Sequence, residues 1–190
     1  EDNPVALANY SRHMEMVGFL TGGGQLAPAA LHAGELTFDH APPEHMRDHI
    51  TQAVRVAGAR RIGHGVALPH ETGAEALAAD MARRGVLVEI NLTSNAVILE
   101  LGPHNHPYAW LKSRGVPTSF STDDSGLLRI DLSHEYERAH AYGATYGDLV
   151  RSARNALAFS FLAGEGLWVD PGTYRRPAAA CRGQIGAPEP

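Results

Sequence analysis

The chain of 190 residues has little of three things that would define a class of protein. It contains one cysteine, Cys181, which excludes an internal disulfide framework and a cysteine-rich zinc site. No apolar run approaches the roughly 20 residues of a membrane span. Basic residues number 16 against 21 acidic ones, for a net charge of −5. We therefore expect a soluble protein without general affinity for nucleic acid or anionic membranes, although the sequence does not decide between a cytoplasmic and a periplasmic or secreted location.

The start of the chain predicts a helix rather than a leader segment. Neither an initiating methionine nor a signal-peptide pattern is present, and we expect a fragment or a processed product. Asn3 suits the N-cap of a helix and Pro4 its first turn. The helical spacing of apolar residues ends at Gly22-Gly23-Gly24.

Short apolar runs alternate with helical patterns along the rest of the chain. Strands are predicted over residues 26–31, 60–63, 86–90 and 116–120. Helices are predicted over residues 42–58, 71–84, 107–114, 133–142 and about 148–162, with Ser133 as a cap. Such alternation indicates βα units and a parallel sheet. Four units are half of a (β/α)₈ barrel of about 250 residues, so either the sheet is open or the first half of a barrel is absent.

Polar clusters follow each predicted strand, and they contain the candidate site. His32 could offer an imidazole nitrogen to a metal, and Glu35 could donate a proton beside it. Asp123 could be a second ligand, because the carboxyl ends of parallel strands meet at one edge of the sheet. By contrast, we expect His49 to be solvated, and His134-Glu135-Tyr136 to be a helix start rather than a second metal site.

Five short motifs in this order give the sequence a family resemblance. They are His32-Ala33-Gly34-Glu35, Arg61-Ile62-Gly63-His64-Gly65, Ser94-Asn95, His106-Pro107 and Ser121-Thr122-Asp123-Asp124. Together they resemble the adenosine deaminase family of zinc aminohydrolases. The resemblance implies a partial (β/α)₈ TIM-barrel fold of the α/β class, holding strands five to eight.

The resemblance also implies a role for each site residue. His32 and Asp123 would be zinc ligands, and Glu35 would protonate N1 of the purine. His64 would orient the zinc-bound water and help to deprotonate it. For substrate binding, Asp124 would hold the purine at N7 and Gly34 would line the substrate site.

One departure from the family concerns the metal site. The family's zinc site also takes a His-x-His pair from the first barrel strand, which this chain does not contain. His104-Asn105-His106 has that spacing, but it precedes Pro107 where the family has a structural His-Pro, so we do not expect it to bind metal. Two ligands are too few for a catalytic zinc site. We therefore expect the isolated chain to lack activity.

The sequence thus predicts half of a metal-dependent barrel in residues 1–165 and an irregular tail in residues 166–190. Its parent would hydrolyse adenosine, or a related 6-aminopurine nucleoside, to inosine and ammonia. The expected partners are the purine substrate and either the missing N-terminal half-barrel or a second copy. Two alternatives stay open: a substrate such as adenine or an N6-modified purine, and a non-catalytic module that acts by binding or assembly.

Overall fold

A computed structural model describes residues 1–22 and 28–183, in which parallel strands alternate with helices. The strands are β1 (Ala30–Ala33), β2 (Arg61–His64), β3 (Leu87–Ile90) and β4 (Thr118–Phe120). The helices are α1 (Pro4–Gly22), α2 (His49–Arg55), α3 (Ala74–Arg84), α4 (Leu92–Ile98), α5 (Tyr108–Ser113), α6 (Ser125–Leu128), α7 (Leu132–Ala141) and α8 (Tyr146–Ala158). Short 3₁₀ turns lie at Pro43–Met46, Leu68–His70 and Ala179–Cys181. None of the helices in these ranges is both long and apolar enough to cross a membrane.

The four strands form one parallel sheet in the order β1-β2-β3-β4. The register pairs His32 with Gly63 and Ile90 with Phe120, so the carboxyl ends of the strands lie along one edge. The predicted α/β class with four parallel strands is therefore confirmed. That edge is where polar side chains following the strands converge.

The core lies between the sheet and its helices. Ile62 of β2, Val88 and Ile90 of β3, and Leu77 and Met81 of α3 are buried in one hydrophobic cluster. Burying a side chain of this size stabilises the fold by roughly 1.5–3 kcal/mol. Because β3 is buried on both faces, its sequence is a nearly continuous apolar run.

Several predicted boundaries were wrong. The helix expected over 42–58 is a 3₁₀ turn followed by α2. The predicted first strand began too early, since β1 starts at Ala30; Gly23, Gly24 and Leu26 lie outside the described residues. The polar stretch after β3 forms helix α4, which was not among the predicted helices.

The predicted cap of α7 was also wrong, and α8 begins slightly earlier than expected. Asp131, not Ser133, caps α7, because its side chain accepts a hydrogen bond from the N–H of His134. Helix α8 begins two residues before Asp148, where Thr145 and Asp148 form a reciprocal capping box.

The outer edge of β4 is covered by side chains of α8. The N–H of Phe120 donates to Ser152 Oγ at 2.8 Å, and Asn155 Nδ2 donates to the carbonyl of Thr118 at 2.7 Å. Tyr174 donates its hydroxyl to Asn155 Oδ1. Backbone groups that would otherwise face a further strand therefore have partners within the chain.

Candidate active site

The carboxyl edge of the sheet gathers the residues that the sequence singles out. His32 lies near the end of β1, and His64 is the last residue of β2. Glu35 follows β1, and Asp123 follows β4 after a two-residue turn. His32 is half-exposed, at 51% of its side chain, whereas His64 is buried. A cavity of about 220 Å³ between these strands is lined by His32, His64 and Asp123 among others.

His32, Glu35 and His64 form a close group in which each side chain contacts another. His64 Nδ1 lies 3.1 Å from Glu35 Oε1, and His32 Nε2 lies 3.8 Å from Glu35 Oε2. The ring centroids of His32 and His64 are 4.5 Å apart. Asp123 approaches from the other side, with Oδ2 at 3.9 Å from His64 Nε2. The two ring nitrogens of His64 thus face different carboxylates.

Two of these residues have left-handed backbone conformations. His64 has φ of 69° and Asp123 has φ of 53°. Residues with a Cβ atom adopt this region at a cost of order 1–3 kcal/mol, and such strain concentrates at functional sites. His64 is the last residue of β2, and Asp123 lies three residues after the end of β4, so both conformations occur where the chain leaves the sheet.

Asn95 contacts Glu35 and His64, and His106 contacts Asn95. Asn95 Nδ2 lies 2.9 Å from Glu35 Oε1 and 3.0 Å from His64 Nδ1. Asn95 Oδ1 lies 3.2 Å from His106 Nε2. Ser94 Oγ is at a longer 3.5 Å from Glu35 Oε1. The sequence resemblance includes Ser94-Asn95, but it does not predict that Asn95 contacts Glu35 and His64.

Glu1 is a site residue that sequence reasoning missed. Its carboxylate accepts hydrogen bonds from the N–H groups of Gly34 and Glu35, and Oε2 lies 3.1 Å from His32 Nε2. His49 Nε2 is 2.7 Å from Glu1 Oε1, a close but poorly aligned contact. His49 is therefore buried, and the expectation that it is solvated was wrong. No pattern around Glu1 signals these contacts, because they join segments more than 30 residues apart.

These contacts shift the pKa of both Glu1 and His32. Burial alone would raise the pKa of Glu1, but the contacts with His32 and His49 outweigh it and hold that pKa well below its usual range. The hydrogen bond to Glu1 raises the pKa of His32, against the opposing effect of burial. Glu1 therefore carries negative charge beside His32.

The two substrate-binding candidates, Gly34 and Asp124, differ in their exposure to solvent. Gly34 is buried with φ of +79°, and its N–H is bonded to Glu1. Asp124 is exposed at the start of α6, and its side chain does not cap that helix. Asp124 directly follows Asp123, which lines the cavity.

The donor atoms at this edge are of the kinds that bind zinc. Zinc in proteins takes imidazole nitrogens and carboxylate oxygens. One ligand atom from each of His32, Glu35 and His64 lies within 4.8 Å of the others. Asp123 stands outside that group of three and meets it only through His64. The residues present therefore have the ligand atoms that zinc requires. The three residues that lie close together and the predicted ligand pair, His32 and Asp123, have His32 in common.

The family follows from comparison with known proteins. The family profile described as "Adenosine deaminase" matches residues 23–166, which is most of the chain. The chain belongs to the adenosine deaminase family. The adenosine deaminase of Escherichia coli (strain SMS-3-5 / SECEC) is 35% identical to it over 139 residues, which cover 71% of this chain and 38% of that protein. The chain thus spans about two fifths of the length of the curated relatives it matches.

Solved structures of deaminases share the fold. The N6-methyl-AMP deaminase of Arabidopsis thaliana aligns at 26% identity and a TM-score of 0.58, over 76% of this chain and 39% of that one. The adenine deaminase of Arthrobacter aurescens aligns with a TM-score of 0.63 over 80% of this chain and 43% of that one; its 19% identity shows a likeness of fold alone. These neighbours are TIM-barrel deaminases, and the prediction of a partial (β/α)₈ barrel is confirmed.

Proposed function

We propose that this chain supplies one half of the active site of a zinc-dependent deaminase of 6-aminopurine nucleosides, with adenosine as the first candidate substrate. The observation that carries the proposal is the contact of Glu35 with both His32 and His64 at the carboxyl edge of the sheet. It pairs a carboxylic acid with two imidazoles in a chain that belongs to the adenosine deaminase family.

The metal would be held by His32 and Asp123, which stand at the ends of β1 and β4. When bound, zinc lowers the pKa of a water molecule to about 7, so that hydroxide is available at neutral pH. The carboxylate of Glu1 beside His32 Nε2 is in reach of the same nitrogen. Metal binding would therefore have to separate Glu1 from His32.

Glu35 would act as the acid of the reaction. It transfers a proton to N1 of the purine, which makes C6 electrophilic and allows the C6–O bond to form. The amino group takes up the proton that His64 accepts from the attacking water, and it departs as ammonia when the C6–N bond breaks. The largely buried position of Glu35 and its hydrogen bond from Asn95 hold the acid in one orientation.

His64 would orient the attacking water and accept its proton. Its buried ring has Nε2 toward Asp123 and Nδ1 toward Glu35. Asp124 at the start of α6 and Gly34 in the loop after β1 would bind the purine, with the carboxyl group of Asp124 donating a hydrogen bond to N7, which has no hydrogen of its own. Both are within a few residues of a catalytic or metal-binding side chain.

The division of the chain follows the same proposal. Residues 1–165 would be half of the barrel, and residues 166–190 a tail. The family match ends at residue 166, which supports this division. After α8 the described residues hold only a 3₁₀ turn and an isolated bridge between Trp168 and Pro177.

Zinc content and ammonia release together test the function. The purified chain is measured alone, and after mixing with a separately expressed N-terminal half-barrel that carries a His-x-His pair. We expect stoichiometric zinc and adenosine turnover only in the mixture, because His32 and Asp123 are one ligand short of a catalytic site. Stoichiometric zinc or turnover in the chain alone would show that the ligand set is wrong, and His104 and His106 would then have to be reconsidered as ligands.

Variants and substrates refine the test. Glu35→Gln in the mixture is expected to lower kcat by about 10²–10⁴-fold, the usual share of a general acid. Glu44→Gln, an exposed carboxylate before α2, is the matched control and should leave kcat unchanged. A zinc-loaded mixture that releases no ammonia from adenosine would contradict adenosine as substrate. Turnover of adenine or N6-methyl-AMP instead would identify the alternative purine, since two structural neighbours are named for those substrates.

A further inference from the structure

His106 is a buried histidine that the proposed reaction does not use. It lies in the loop before α5, with 6% of its surface exposed, and its ring packs edge-on against Tyr142. Burial, and after it the charge of His64, lowers the pKa of His106 to about 4. The ring is therefore neutral near pH 7, with one nitrogen that donates and one that accepts a hydrogen bond.

The contacts of His106 determine which nitrogen carries the proton. Nδ1 accepts a hydrogen bond from the N–H of Tyr108 at 3.1 Å, and a backbone N–H can only donate. The proton must then be on Nε2, which lies 3.2 Å from Asn95 Oδ1. A protonated Nε2 donates to that oxygen. This hydrogen bond fixes the orientation of the Asn95 amide, with Oδ1 toward His106 and Nδ2 on the opposite side.

The donor end of Asn95 faces the proposed acid. Asn95 Nδ2 has two hydrogens, and it lies 2.9 Å from Glu35 Oε1 and 3.0 Å from His64 Nδ1. Oε1 of Glu35 is also the oxygen nearest to His64, at 3.1 Å. The other oxygen, Oε2, faces His32 at the longer distance of 3.8 Å. The two carboxylate oxygens therefore have different environments.

We propose that His106 and Asn95 are positioning residues that orient Glu35, keeping Oε1 as a hydrogen-bond acceptor and leaving Oε2 to carry the transferable proton. The sequence of donors runs from the N–H of Tyr108 through His106 and Asn95 to Glu35 Oε1. The catalytic consequence rests on the proposed function, because it presumes that Glu35 is the acid. The order of the hydrogen bonds from Tyr108 to Glu35 does not depend on the proposed function.

A simpler role for His106 is to anchor the start of α5 through Tyr108. Two variants separate the roles, because each keeps one side of the imidazole. His106→Asn retains an oxygen near the position of Nδ1 and can accept from Tyr108, but it no longer reaches Asn95. His106→Gln extends an amide nitrogen to the position of Nε2 and can still donate to Asn95 Oδ1.

Kinetics in the zinc-loaded mixture are the first measurement. We expect His106→Asn to lower kcat by about 10- to 100-fold with KM changed less than about 3-fold, because a displaced acid affects the chemical step more than binding. His106→Gln should stay within about 5-fold of the unsubstituted protein. Equal losses in the two variants, or a loss confined to His106→Gln, would overturn the proposal.

Nuclear magnetic resonance of the 190-residue chain, labelled with ¹⁵N in histidine and asparagine, is the second measurement. We expect His106 with a protonated Nε2 and an unprotonated Nδ1 at pH 7, and slowly exchanging Nδ2 protons of Asn95. Those protons should exchange faster in His106→Asn and stay slow in His106→Gln. A protonated Nδ1 or a charged ring would overturn the proposal even if the enzyme is active. If no purine is turned over, the proposed function fails while this measurement still decides the hydrogen-bond order.

Discussion

Gly34 shows how tightly single residues at this site are constrained. Its φ is +79°, and a Cβ atom there would lie 2.5 Å from Cδ1 of the fully buried Ile50. Gly34→Ala should therefore destabilise the chain by about 2–4 kcal/mol, combining backbone strain with overpacking. Urea unfolding at pH 7 measures this.

The matched control is Gly73, which has φ of +76° but no atom within 4 Å of an added Cβ. Gly73→Ala should cost only about 1 kcal/mol, since it carries the backbone strain without the clash. Equal losses at the two glycines would show that the space around Gly34 is not limiting.

His106 makes stability depend on pH. Its pKa is about 4 in the folded chain and 6.5 in the unfolded one, so the unfolded state binds the proton first as the pH falls. The free energy of unfolding should decrease from pH 6.5 down to about pH 4 because of this group. Between pH 7 and pH 4.5, protonation of His106 should lower the free energy of unfolding by roughly 2 kcal/mol.

Comparison with His106→Leu isolates that contribution, because leucine does not titrate. Urea titrations of both proteins at the two pH values should show a larger loss in the unsubstituted chain. Equal losses of stability in the two proteins would mean that His106 has the same pKa in the folded and unfolded chains.

At the scale of elements, helix α4 depends on a carboxylate from another helix. Glu135 of α7 is fully buried, and its oxygens accept hydrogen bonds from the N–H groups of Leu92 at 2.9 Å and Thr93 at 3.2 Å. These are the first two residues of α4, whose amide groups have no partner inside the helix. Glu135 thereby fixes the helix that carries Asn95.

Glu135→Gln is predicted to destabilise the chain by about 2 kcal/mol. The glutamine places an amide donor against two N–H groups and removes a charge-assisted acceptor. Glu137, exposed on the same helix, gives the control Glu137→Gln, with a change expected within about 0.5 kcal/mol. Chemical denaturation followed by circular dichroism measures both, and a loss in the control as large as that in Glu135→Gln would refute the prediction.

This long-range cap explains why α4 was not predicted. Thr93, Ser94 and Asn95 have modest helix propensity and follow a strand, so the local pattern favours a loop. The carboxylate that satisfies the first amides is more than 40 residues away. Strand β3, by contrast, was predictable because its apolar run is complete within five residues.

The cap of α7 illustrates a smaller error of the same origin. Asp131 and Ser133 are both good N-cap residues two positions apart. Only the hydrogen bond from His134 to Asp131 distinguishes them. Local propensity therefore located the helix but not its first residue.

For the whole molecule, the candidate site was largely predictable and its neighbours were not. His32 and His64 lie at the carboxyl ends of parallel strands and Asp123 follows another, and the topology alone brings strand ends together. Glu1 and His106 reach the site through tertiary packing that leaves no periodic signal. The sequence thus indicates which edge of the sheet carries the chemistry, but not which side chains orient it.

The two edges of the sheet give a prediction about assembly. Within the described residues, β1 has one strand neighbour, β2, and unpaired strand edges promote association. We expect the isolated chain to self-associate through this edge. Analytical ultracentrifugation and a thermal scan test this, and a monodisperse monomer with a sharp transition would count against it.

The hydrogen bonds from α8 to β4 have a further consequence for how copies could meet. Head-to-tail addition, in which β1 of one copy lies beside β4 of the next, would never close and would grow into a filament. That route requires Ser152 and Asn155 to release the backbone of β4, and a complementing half-barrel would have to exchange the same two bonds for strand pairing. The β1 strands of two copies can instead pair about a two-fold axis, which leaves neither copy with an unpaired β1 edge. Self-association of this chain should therefore stop at pairs and leave no growing end.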